Sequence, residues 1–131
     1  HEEYDMSAVS APFPVLPAAD LGRAQKFYED VLEFQLSAEQ LEGGMLYDVH
    51  DGKVWVYETD NAGTAQSTQI AWWVDDIEAE VDRLQQAGVH FETFETPPEI
   101  TWDGPIARSG SMRSAWFKDT EGNTFCIDQR V

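Results

Sequence analysis

A single cysteine, three lysines and no long apolar stretch exclude several classes of protein at once. Cys126 cannot form an intrachain disulfide, which fits a reducing compartment and sets the expectation of a cytoplasmic protein. No apolar run approaches the ~20 residues needed to span a bilayer, and no signal-peptide pattern precedes the first expected strand. Eight basic residues stand against 25 acidic ones, for a net charge of −17. Phosphate affinity needs clustered Lys and Arg, so neither a nucleic acid nor an anionic membrane is an expected partner. A Gly-rich phosphate loop, a Gly-x-Ser-x-Gly elbow and a Ser-x-x-Lys pair are all missing. His50 and His90 have no partner at metal-binding spacing, so no catalytic constellation is recognisable.

What is present is a repetition. Asp20-Leu21 is echoed by Asp76-Ile77, 56 residues on, and Asp51-Gly52 through Glu58 by Glu121-Gly122 through Asp128, 70 residues on. Each copy reads strand, helix, three strands. In the first, Phe13 to Pro17 is an apolar run, and Asp20 can cap a helix whose apolar face is Leu21, Ala24, Tyr28, Val31 and Leu32. Phe34–Leu36, Met45–Val49 and Val54–Tyr57 follow as strands, with turns at Gly43-Gly44 and Asp51-Gly52. In the second, Ile70–Val74 is the strand, and Asp75 with Glu78 resembles a capping box. Ile77, Val81, Leu84 and Ala87 make a buried stripe ended by Gly88. His90–Phe94, Met112–Phe117 and Thr124–Ile127 complete the unit. The expected fold is therefore α+β, two tandem βαβββ modules with mostly antiparallel sheets. Residues 1–10 read as a leader whose His1-Glu-Glu-Tyr-Asp5 start looks like an expression remnant. Residues 11–131 form one domain, with module one over 11–60 and module two over 66–131. The later copy carries about 14 extra residues, placed in a loop from Pro97 to Gly110. A cleft is expected where the copies meet.

Ala19-Asp20-Leu21 through Phe27-Tyr28, Val74-Asp75-Asp76-Ile77 with Gly88, and Trp116 through Asn123 occur in an order that resembles the vicinal oxygen chelate superfamily. That family includes glyoxalase I, extradiol dioxygenases, fosfomycin-resistance enzymes and bleomycin-resistance proteins. Thr120 departs from the usual proline of the final turn, and Glu33 stands where a helix-ending glycine is common. The resemblance implies a pair of half-barrels. In metal-dependent members a His or Gln on each first strand and a carboxylate on each last strand meet on one divalent ion. Alignment on the repeated motifs puts those positions at Phe13, Gln69, Val56 and Cys126, which is no ligand set for a hard or borderline cation. A displaced site from Glu58, Gln69 and Asp128 is the remaining arrangement.

The aromatic supply points to ligand binding instead. By strand alternation, Trp73 shares the face of Gln69, while Trp72 joins Ile70 and Val74 against the helices. With Val56 taken as facing the cavity, Trp55 and Tyr57 are expected against the helix layer, as are Phe125 and Ile127. Phe13, Trp73 and Trp102 are then cavity aromatics, with Glu58, Gln69 and Asp128 as polar groups, Cys126 between them and Arg113 available to an anionic group. The expectation is a metal-free, cofactor-free protein, a homodimer by resemblance, that binds a small aromatic or cationic molecule. The alternatives are a lyase, isomerase or dioxygenase with an unusual metal site, and an acidic protein-interaction module.

Overall fold

The computed structural model describes residue 8 and residues 10–131, so the leader expected over 1–10 lies almost wholly outside the described residues. Each module begins with a short strand and a capped helix. Strand β1 (Val15–Ala18) leads into α1 (Leu21–Lys26), whose N-cap Asp20 accepts a hydrogen bond from the Arg23 N–H and satisfies one free donor of the first turn. A π-helical turn, Phe27–Val31, continues α1 and rotates Phe27 as well as Tyr28 into the core. The helix ends at Glu33, which adopts φ 60°. This left-handed backbone is the one for which the missing glycine is suited. Strands β2 (Gln35–Leu36), β3 (Gly44–Val49) and β4 (Gly52–Glu58) complete module one.

In module two, β5 (Thr68–Trp73) precedes α2 (Ile77–Gln86). The cap is Asp76, not the expected Asp75: its side chain accepts from the Ala79 N–H. Ile77, Val81 and Leu84 are buried as the stripe predicts, and Gly88 at φ 97° ends the helix. Next come β6 (Phe91–Glu92), β7 (Thr101–Asp103), β8 (Ile106–Ser109), β9 (Met112–Lys118) and β10 (Thr124–Arg130). The region expected as a loop from Pro97 to Gly110 is thus largely a hairpin, in which Trp102 pairs with Ala107 and the sheet gains two strands. Sheet order is β1-β4-β3-β2 in the first module and β5-β10-β9-β8-β7 in the second, with β6 also on β9. Among the described residues only β1–β4 and β5–β10 are parallel pairings.

One core serves both modules. Leu16, Ala18, Val54 and Val56 of the first sheet and Ala115, Phe117, Phe125 and Ile127 of the second pack with Ala24, Tyr28, Val81 and Leu84 of the helices. Tyr28 of module one stacks on Phe125 of module two, and Phe34 meets the edge of Trp72. Each strand therefore has a helix-facing side and an open side, and the burial of its residues says which is which. No helix of the described residues is long and apolar enough to cross a membrane.

Candidate functional site

Where the modules meet there is a clasp of hydrogen bonds. The Glu121 carboxylate accepts from the backbone N–H groups of Ala19 and Asp20, each at 2.9 Å, and from Arg23 Nε at 2.7 Å. Its side chain is fully buried. Burial alone would raise its pKa, yet these bonds, with one from Thr120, hold it at about 2. Asn123 bridges the modules too: Nδ2 donates to the Pro17 carbonyl and to Asp119, and Oδ1 accepts from Gln69 Nε2 at 2.9 Å. Gln69 Oε1 in turn accepts from the Thr124 N–H. Both ends of Gln69 are used in holding β5 to the last turn, so this expected ligand contact is a structural tie.

The open side of the second sheet carries a continuous row. Register places Trp102 beside Ala107, Ala107 beside Ser114, Ser114 beside Asp128, and Asp128 beside Trp73, across five strands. Two indoles thus flank a floor of Ala107, Ser114 and Asp128, which spans two strand spacings, about 10 Å. The neighbouring row holds Glu92, Trp116, Cys126 and Ala71. Phe94 packs edge-on against Trp116 at 4.9 Å and Trp102 at 5.3 Å between centroids, giving one wall three aromatic rings. Trp102 is held by its Nε1 donating to Thr96 Oγ1 at 3.0 Å. Ser114 Oγ donates to Asp128 Oδ1, and the Cys126 thiol points at the same oxygen, 3.4 Å away. Burial first, and then the Asp128 charge, push that thiol up to about 12, so it stays protonated at neutral pH and is no nucleophile. Beside Trp116 and Phe94 the face deepens into a cavity of about 650 Å³, bordered by Gly63, Thr68, Glu92 and Thr124.

Of the expected site residues, the structure brings together Trp73, Trp102, Cys126 and Asp128. It places the others elsewhere. Arg113 alternates with Ser114 and so lies on the helix-facing side, beside Arg108 and the start of α2. Phe13 precedes β1 and is exposed. Val56 is fully buried in the shared core, so Trp55 and Tyr57 face away from the helices, the reverse of the expectation, and Glu58 shares the parity of Val56. The cause is the hairpin. β3 and β4 pair Val49 with Gly52 across a two-residue turn, whereas β9 and β10 pair Lys118 with Thr124 across five residues. Aligning the two turns shifts β4 by one residue, and one residue flips every side chain. Trp116, Phe94 and Ser114 were not anticipated; Trp116 alternates with the core residue Phe117, which was the available signal.

The donor set does not suit the divalent ion that the fold's metal-dependent members hold. The open side of β4 offers Trp55 and Tyr57, Gln69 is engaged at both ends, and Glu58 does not join Asp128. Among the described residues no three His, Cys, Asp or Glu side chains gather where they could hold an ion.

This repeated βαβββ architecture, with an open sheet face and a duplicated helix cap, defines a class. The sequence matches the Glyoxalase/Bleomycin resistance protein/Dioxygenase superfamily over residues 11–127, and the chain belongs to that family. A comparison with curated proteins gives no match. Among solved structures, the chain is similar to a fosfomycin resistance protein from Listeria monocytogenes, with TM-score 0.70 and 14% identity over 94% of each chain. It also resembles an antibiotic binding protein from Streptomyces sp. CB03234, at TM-score 0.62 and 21% identity over 97% of this chain and 100% of that one. A lactoylglutathione lyase from Agrobacterium tumefaciens matches at TM-score 0.65 and 14% identity over 92% of each. At these identities the likeness is one of fold.

Proposed function

We propose that this protein binds a small, flat organic molecule, aromatic and cationic, on the open face of its second sheet, without a resident metal. The carrying observation is the row from Trp102 to Trp73, whose small, polar floor holds one carboxylate, Asp128, between aromatic walls. Apolar walls with few convergent polar groups are the usual make-up of a ligand site. The net charge of −17 favours cations near the site and repels anions. Two structural neighbours, an antibiotic binding protein and a fosfomycin resistance protein, support binding of organic compounds on this scaffold. A displaced-metal lyase or dioxygenase has no donor cluster among the described residues to support it.

Titration with 1-methylquinolinium in the presence of a chelator, followed by tryptophan fluorescence, tests the reading. Replacing Trp116 or Trp102 with leucine is expected to weaken binding by about tenfold, through lost stacking and lost buried area. The attraction should fade as ionic strength rises. Unchanged affinity in both variants, or binding only after a divalent metal is added, would overturn it.

The same open faces bear on assembly. On the first sheet Val15 and Tyr57 are exposed on the open side, an apolar load that a second copy would cover while leaving the face of the second sheet free. The chain is therefore proposed to be a homodimer, and sedimentation at micromolar concentration should give twice the mass of one chain. The mass of a single chain would count against it.

A further inference from the structure

Arg23, Lys53, Arg83, Arg108 and Lys118 all pair with carboxylates. Arg130 does not, among the described residues, although Asp128 is two residues away on the same face of β10. Its guanidinium lies over the indole of Trp73 instead, with Cζ 4.6 Å from the ring centroid. Asp128 meanwhile takes its hydrogen bond from Ser114 and faces the floor. The plate at one end of the row thus already carries a flat cation over part of its surface, and that cation belongs to the protein itself.

We infer that Arg130 is an internal competitor: it occupies the place on Trp73 that a flat cationic ligand takes, and such a ligand binds by displacing it while Asp128 supplies the counter-charge. The inference rests on the proposed binding face, and it assigns Trp73, Asp128 and Arg130 distinct parts there. Trp73 is the cation plate, 57% exposed even with Arg130 over it and, among the described residues, held by no side-chain hydrogen bond. Asp128 selects charge. Arg130 sets a threshold, since a solvent-exposed cation–π contact is weak and can be exchanged for a better one. Its presence covers part of the indole in the free protein and discriminates against ligands that are flat but too small or uncharged to replace it.

The test uses three probes of one shape: 1-methylquinolinium, 2-naphthol and 2-naphthoate. The wild type should bind the cation most tightly and the anion least. Arg130→Ala should tighten both 1-methylquinolinium and 2-naphthol by about two- to fivefold, the size of the exposed contact removed. The gain for neutral 2-naphthol separates uncovering of the plate from mere removal of a positive charge. In a Trp73→Leu background the same change should give 2-naphthol no gain, and Asp128→Asn should weaken the cation while leaving 2-naphthol nearly unchanged. Arg130 is exposed at the end of β10, and circular dichroism should show the variant folded as the wild type is. Equal or weaker binding of 1-methylquinolinium by Arg130→Ala overturns the inference. So does tightest binding of 2-naphthoate with its loss in Arg130→Ala, which would make Arg130 an anion receptor. The Trp102 and Trp116 variants report on the binding face independently. If they have no effect while Arg130→Ala tightens binding, the face is misplaced but the competitor is real.

Discussion

Replacing Glu121 with alanine is expected to lower the melting temperature by about 10 °C, with a loss of about 3 kcal/mol. The effect comes less from the ion pair with Arg23, whose side chain is half-exposed, than from the Ala19 and Asp20 N–H groups that the change strands. Those donors open α1 and join the modules, so their loss is felt on both sides of the core. The carboxylate also makes the effect pH-dependent. Its pKa is about 2 in the folded protein against an ordinary 4.5, so its contribution is complete above about pH 4.5 and is lost as the pH falls towards 2. Glu121→Gln has no proton to gain. The stability gap between wild type and Glu121→Gln should therefore narrow over that window in chemical denaturation, and a gap constant down to pH 2 would refute the assignment.

The second large effect is expected at Gly44. A Cβ built there falls 2.1 Å from the Val56 carbonyl oxygen and 2.9 Å from Trp55 Cζ2. Neither a carbonyl in a paired strand nor an indole on the same face can retreat without moving β3 against β4. Gly44→Ala should cost about 3 kcal/mol, at the upper end of overpacking penalties, and disturb module one while leaving the Trp102–Asp128–Trp73 row in place. Thermal unfolding measures the first, and 1-methylquinolinium titration below the transition measures the second. A melting temperature within 2 °C of wild type, on the order of 0.5 kcal/mol, would show that the strands separate more easily than the contact implies.

How much of this was legible beforehand varies by residue. Asp20 and Gly88 announced helix ends because caps are local chemistry, written in one or two residues. Trp72, Phe125 and Ile127 were placed correctly against the helices because alternation within one strand needs only the strand. Trp55, Tyr57 and Val56 were inverted because their parity was carried from another hairpin whose turn has a different length. Arg113 falls on the helix-facing side for a related reason: its side depends on the pairing of Met112 to Lys118 with β10, and nothing local to the residue records it.

By itself the sequence determined the duplicated βαβββ order, the cap at Asp20, the helix end at Gly88 and the net charge, since all of these follow from residue identity and short spacing. The tertiary structure decided that the expected cleft between copies is a clasp of Glu121, Asn123 and Gln69. It decided too that the 97–110 segment is largely a hairpin, and that Trp102 and Trp73 stand at the two ends of one row with Ala107, Ser114 and Asp128 between them. Those facts depend on which residues strand pairing sets side by side. Register joins positions far apart in the chain, and a single-residue change in it exchanges the two faces of a sheet.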